Sequence, residues 1–367
     1  MDIFISKQAS KQASKQASKQ ASKQASKQAS KQASKQASKQ ASKQASSYNS
    51  IDLAKFLMAF CVVAIHTGPL FNCKDVVLLS IYDSIVRCAV PFFFIASGFL
   101  LGKKYDDSKD LNVFDKQIRK ILKMYLIWTL IYAPLELIHA FLSGTSLIRE
   151  ILVYIKQLIF VGDHYNSWPL WYLLSTIYGL ALIYYLKKKN LSNAGLFGIS
   201  VVFMLVSFGI DSFVSIGHLS GVLFNVQKLI KITICNGRIL QGLFFIPFGM
   251  LLSEKSNVFL SILLFVFGFI GNCLLDGFLG SIFLTISAIG LFGIVKNIKL
   301  PSKPMWKHLR EYSTIIYLIH MYVWTIYYMF AYGEKTFGID SFIFTSIVSL
   351  LISIIYIFAK EHFSMCT

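Results

Sequence analysis

Acidic residues are scarce in this chain, with 18 Asp and Glu among 367 residues against 36 Lys and Arg. Only 15% of the residues are charged while 55% are hydrophobic, too little polar surface to clothe a soluble particle of this size. Metal-ligand spacing is missing as well. The six cysteines (Cys61, Cys73, Cys88, Cys235, Cys273 and Cys366) contain no C-x-x-C pair, so the sequence offers no zinc or iron–sulfur framework and no metal site is expected. The sequence lacks a P-loop, a dinucleotide fingerprint and a G-x-S-x-G nucleophile elbow, which removes the usual signatures of nucleotide binding and serine hydrolysis. No A-x-A-like site follows the first apolar run, and no cleavable signal peptide is expected.

What remains is apolar and aromatic: 32 Phe, 18 Tyr and repeated windows of 17 or more apolar residues. These predict an all-α integral membrane protein. Ten spans are expected, near 51–71, 78–102, 118–142, 169–186, 194–210, 239–253, 258–274, 278–296, 313–332 and 341–360, the sixth of them short. The segment 146–161 is amphipathic, suiting an interfacial or re-entrant helix. Cys61, Cys88 and Cys273 fall in apolar runs as small hydrophobes. Cys73 and Cys235 fall in outer connections that a disulfide could join.

The formal charge of +18 divides evenly. Residues 1–46 carry ten Lys against Asp2, and the rest carries 26 basic against 17 acidic residues. From Lys7 to Ser46 the chain is ten tandem copies of Lys-Gln-Ala-Ser, with nothing to bury, so residues 1–50 read as a disordered cytoplasmic tail. Its lysines suit attraction to an anionic leaflet or simple solvation and topology. With that tail inside, the inner loops of a ten-span chain hold seventeen Lys and Arg and the outer loops seven. That asymmetry predicts both termini cytoplasmic, a membrane domain over 51–362, a short tail at 363–367 and residence in a cell membrane, bacterial plasma membrane by type. The basic residues sit in short loops, so nucleic acid is not expected as a partner.

The stretch Ile51–Phe71, IDLAKFLMAFCVVAIHTGPLF, is of spanning length yet holds Asp52, Lys55 and His66. Eleven residues turn a helix about three times, so Lys55 and His66 share a face about 16 Å apart. Such a stripe faces a bundle interior or a watery cavity. His66 is the residue of this span able to exchange protons near pH 7 and suits a general base; a structural histidine tied to a neighbouring helix is the plainer alternative. Lys55, Arg119 and Lys120 suit a phosphorylated ligand entering from the cytoplasm, or ordinary positive-inside charge. Arg87, inside the second span, needs an anion such as substrate or Glu136. Trp171, in the Trp168-Pro169-Leu170-Trp171 opening of the fourth span, suits an aromatic platform or an interface anchor. Tyr317 and His320, one turn apart, suit substrate orientation or a helix–helix tie.

Four stretches together resemble the acyltransferase family 3 membrane proteins over about residues 48–360. They are Asp52–His66, Val90-Pro91-Phe92-Phe93-Phe94-Ile95-Ala96-Ser97-Gly98-Phe99-Leu100, the basic start of the third span with Leu170-Trp171-Tyr172-Leu173, and Ser313–His320. The resemblance implies transfer of an acyl group, commonly acetyl from acetyl-CoA, to a hydroxyl of an extracytoplasmic glycan, a modification of the cell envelope. It gives His66 the catalytic role, with acyl-CoA as donor substrate and no bound cofactor. Two positions depart from the family pattern: Lys55 stands where Arg is usual, and Gln117 replaces the first Arg of Arg-x-x-Arg. The chain is also similar to the membrane half of vancomycin-resistance serine racemases at Ile65-His66-Thr67 and Trp171-Tyr172-Leu173, without their soluble racemase domain. That likeness suits the alternative, a transporter for a small polar solute such as an amino acid; a catalytically inactive scaffold is a third reading.

Overall fold

The computed structural model describes residues 48–144, 146–163, 166–252 and 257–365. The Lys-Gln-Ala-Ser repeats and Lys255 lie outside the described residues. The described residues fall into two units, residues 48–49 with 299–302, and residues 50–298 with 303–365. In the first, the Asn49 side-chain amide donates to the carbonyl oxygens of Leu300 (3.3 Å) and Pro301 (3.2 Å). The second unit holds the helical bundle and every candidate site residue.

Among the described residues every regular element is a helix. In chain order these are α1 (Asn49–Thr67), α2 (Val76–Arg87), α3 (Ala89–Ser108), α4 (Asn112–Ser143), α5 (Leu147–Phe160), α6 (Leu170–Lys188), α7 (Asn193–Ser215), α8 (Gly221–Ile234), α9 (Gln241–Leu251), α10 (Val258–Leu274), α11 (Gly277–Asn297), α12 (Met305–Ala331) and α13 (Ile339–Met365). Eight are long and apolar enough to cross a bilayer, counting α2 and α3 as one continuous span, and nine if the bent pair α8–α9 forms one more. Each of the ten expected segments carries a helix, but α9 and α10, with 11 and 17 residues, are short of a span alone. The stretch 211–238, expected as a connection, contains α8, whose axis bends 56° from the helix after it. Residues 363–365, expected in a tail, continue α13. The amphipathic segment near 146–161 is helical as expected, and forms α5.

Local chemistry sets the ends. Gly68, with φ +56°, ends α1 where a side chain would be strained. Asp75 starts α2 by accepting from the backbone N–H groups of Val77 (2.9 Å) and Leu78 (3.1 Å). The seam at Cys88 lies where Pro91 has no N–H for the Arg87 carbonyl, so the Cys88 N–H takes the tighter bond to Ile85.

Lipid is the solvent for the outer surface. Leu130, Phe141, Phe330 and Phe358 each expose more than 70% of their area, which water would not tolerate in a row of helices. The interior is held by small residues and short polar side chains rather than by apolar burial alone, since lipid and core are equally apolar. Gly98 and Gly249 bring α3 and α9 into backbone contact: a Cβ on Gly98 would lie 2.1 Å from the Ile246 carbonyl oxygen, and one on Gly249 would lie 2.3 Å from that of Ile95. Ser175 Oγ donates to the Ile239 carbonyl (2.7 Å) and accepts from the Gly242 N–H (2.9 Å), fixing α6 to the start of α9. The fully buried residues Ser341, Thr345, Ser349 and Ser353 recur every four positions along α13, which packs on α12. The family-like motif Ser97-Gly98 thus has a packing cause.

Candidate functional site

The C-terminal end of α1 carries His66 into a nest of rings. Its imidazole stacks on His320 of α12 (centroids 5.2 Å, planes 29° apart) and meets Trp168 at 5.3 Å. His320 is fully buried, and its Nδ1 lies 3.2 Å from the Ile316 carbonyl. A carbonyl can only accept, so Nδ1 carries the hydrogen and Nε2 holds a lone pair. That Nε2 is buried without a hydrogen-bond partner. A lone pair left unmet in a dry interior is costly unless a polar ligand meets it.

Tyr317, one turn before His320, donates to the Pro169 carbonyl (3.1 Å), and its ring packs on Tyr172 (5.4 Å) and Phe93 (5.7 Å). Tyr172 in turn shares a hydrogen bond with Ser97 (3.1 Å). The loop before α6 is pinned by Asn166, whose amide donates to Thr325 Oγ1 (2.9 Å) and Tyr328 (2.6 Å). Asn166 adopts φ +53°, a left-handed conformation that Asn tolerates better than most residues. This turn delivers Trp168 to His66.

Beside that loop, Asp163 and Arg238 form an ion pair with side chains only 11% and 27% exposed, and the guanidinium lies 5.3 Å from the Trp171 ring centroid. A small cleft lined by Tyr125, Tyr132, Glu136, Tyr154 and Asp163 adjoins the same loop. On the other side, Lys335 lies over Trp168 (4.2 Å), Trp324 (4.9 Å) and Phe337 (5.6 Å).

Of the residues singled out from sequence, His66, Tyr317 and His320 come together. Trp168, rather than Trp171, faces His66; Trp171 packs on Phe94 (5.9 Å) and carries Arg238. Lys55 lies toward the opposite end of α1 near Asp52, whose carboxylate pairs with Arg310 (3.5 Å). Arg119 is exposed and bonded to Asp115 (2.9 Å), and Lys120 is exposed. Arg87 is exposed and pairs with Asp83 (3.7 Å) one turn earlier on its own helix, which corrects the expected partner Glu136. Glu136 instead lines the cleft. Cys73 and Cys235 are both free thiols, so no bridge joins them. Among the described residues no cluster of His, Cys, Asp and Glu is arranged to hold a metal ion.

Sequence reasoning missed Arg238, Asp163 and Lys335. Each sits in a connection, where a charge reads as solvated and no periodicity marks its neighbours.

Three known proteins share parts of the chain. Two amino-acid racemases of Enterococcus faecalis are 33% identical over 171 residues and 35% identical over 175, each match covering 46% of this chain and 23% of the relative. A serine/alanine racemase of Enterococcus gallinarum is 28% identical over 293 residues, 74% of this chain and 40% of the relative. The chain thus spans less than half the length of these relatives. No solved structure matches it. The family model described as "Acyltransferase domain" covers residues 48–358, from the start of α1 to within α13 and including every side chain of the ring nest. The chain is a multi-pass membrane protein and belongs to that family, acyltransferase family 3.

Proposed function

We propose that the protein moves an acetyl group from cytoplasmic acetyl-CoA to a hydroxyl of a cell-surface or exported glycan, with His66 as the base. The observation that carries this reading is the His66–His320 stack, two imidazoles inside a membrane bundle, one with an unmet buried lone pair. Ten crossings with both termini cytoplasmic remain the topology we favour, on the seventeen-to-seven distribution of loop charge. In that frame the donor enters at the Lys55 end of α1, with Arg119 and Lys120 as further cations for its phosphates. The rise of α1 separates Lys55 from His66 by about 16 Å, a span suited to the extended pantetheine arm of a CoA thioester.

The acceptor approaches from the Trp168 side. His66 takes the hydroxyl proton as the oxygen attacks the thioester carbonyl carbon. A C–O bond forms, the C–S bond breaks, and the proton passes to the departing thiolate. Tyr317 stands close enough to His320 to help order the acceptor, its hydroxyl held by Pro169. Arg87, paired on the exposed face, takes no part.

A second reading has one observation in its favour: the relatives are named for amino-acid substrates. The same bundle then passes a small amino acid without chemistry. Purified protein in nanodiscs with labelled acetyl-CoA separates the two. Release of CoA that is lost in His66→Ala supports the transferase; amino-acid uptake by proteoliposomes with no CoA turnover refutes it.

A further inference from the structure

We propose that Lys335 is the acceptor-recognition cation, and that the hydroxyl-bearing acceptor therefore carries a carboxylate or phosphate beside the hydroxyl to be acylated. This deepens the transferase reading above and rests on it.

Lys335 belongs to the connection between α12 and α13, and that connection is fixed immediately after it. Trp324 Nε1 donates to the Thr336 carbonyl (3.2 Å), and the Gly338 N–H donates to the Thr67 carbonyl at the end of α1 (3.0 Å). Phe337 stacks on Phe71 (5.2 Å), packs on Trp324 (5.4 Å) and lies 3.4 Å from where a Cβ on Gly68 would be. The ammonium is thus brought back over the rings of Trp168, Trp324 and Phe337. Lys335 is itself exposed, but the Trp324 ring it lies over is fully buried and fixed, so the ammonium rests on a built platform at the surface.

Ring faces attract a cation but accept none of its three N–H donors well. Among the described residues no carboxylate pairs with Lys335. Asp340, in the same connection, accepts from Tyr327 (3.1 Å) and Tyr332 (2.7 Å), and Glu334, next to Lys335 in the chain, is exposed and makes no ion pair with it. Partial burial also pulls the Lys335 pKa below its usual value, as expected for a cation with no anion beside it.

Position gives the site its meaning. Lys335 Nζ lies 4.2 Å and the His66 ring 5.3 Å from one Trp168 centroid, so the two are within 9.5 Å of each other. An anion resting on Lys335 leaves its own molecule one sugar ring's width in which to offer a hydroxyl to His66. A uronic acid or a phosphorylated sugar has that layout; a neutral hexose has nothing to give the ammonium. An anionic lipid headgroup carries the same chemistry and is the other possible source of the anion.

The test uses full-length protein in nanodiscs of phosphatidylcholine alone, which removes anionic headgroups. Initial rates of CoA release are compared for an oligogalacturonate and for its carboxyl-reduced neutral counterpart. Lys335→Gln is expected to raise KM for the oligogalacturonate roughly tenfold to hundredfold, the loss of a charge-assisted contact. KM for the neutral counterpart and for acetyl-CoA stays unchanged, and Lys335→Arg largely rescues. An equal effect on both acceptors, or none, overturns the proposal. Discrimination that appears only when phosphatidylglycerol is added also overturns it and assigns the cation to lipid. If wild-type protein releases no CoA with either acceptor, the transferase reading fails separately; quenching of Trp fluorescence by oligogalacturonate, lost in Lys335→Gln, then still supports the anion site, and its persistence overturns it.

Discussion

Replacing Asp163 by Ala strands the Arg238 guanidinium. Its side chain is 27% exposed, its Nε has no partner even with Asp163 present, and among the described residues no second acid is bonded to it. Breaking one half of a buried pair costs about 3–5 kcal/mol, because the remaining charge keeps its desolvation cost and loses its compensation. The double replacement Asp163→Ala with Arg238→Met strands nothing. It gives up the contact of the guanidinium with Trp171, about 1–2 kcal/mol for a cation over a shielded ring. The double variant is therefore expected to be more stable than the Asp163→Ala single variant, with a coupling energy of about 2 kcal/mol or more. Reversible unfolding by SDS titration in bicelles measures all four members of the cycle. If Asp163→Ala costs under about 1 kcal/mol, or the double variant is no better than it, the pair is solvated and the stranded-charge argument is refuted.

Other outcomes rest on the same geometry. Gly98→Ala forces α3 off the α9 backbone and should cost about 1–3 kcal/mol or more in the same titration. Gly198→Ala, with open space around it, should be neutral or slightly stabilising; equal costs would show that close approach is not what Gly98 provides. His320→Phe keeps a ring beside His66 but removes Nε2, and CoA release should fall about 100-fold without loss of folded protein. Full activity in that variant would reduce His320 to packing. Because partial burial lowers the Lys335 pKa, the ammonium is lost at a lower pH than that of an ordinary exposed lysine. Affinity for an anionic acceptor should therefore decline in the alkaline range, and Lys335→Arg should move that decline to higher pH; a flat profile would exclude the role.

Long apolar runs make most of the helices legible, since nothing but a bilayer or a packed core accepts them. Helix α8 is not legible, because its 14 residues bend 56° from the short sixth span that follows and leave no spanning run of their own. His66 stands out as a polar group in an apolar helix, and Tyr317 with His320 as a one-turn pair. Arg87 misleads for an instructive reason: an arginine inside a span need not look inward when an acid four residues earlier, here Asp83, offers a partner on the same helix. Asp163 and Arg238 stand 75 residues apart in sequence, in two connections, and only tertiary packing joins them. Trp168 and Trp171 differ by one helical turn, so which of them meets His66 depends on the turn at Asn166.

His66 and the side chain stacked on it are separated by 254 positions of chain. At translation rates of about 5–20 residues per second, some 13–50 s pass between synthesis of the first and of the second. Throughout that interval α1 sits in the membrane with its imidazole unmatched by its eventual neighbour, and the connection that closes over it is made later still. Synthesis thus presents the His66 helix well before the α12–α13 hairpin whose side chains pack against it.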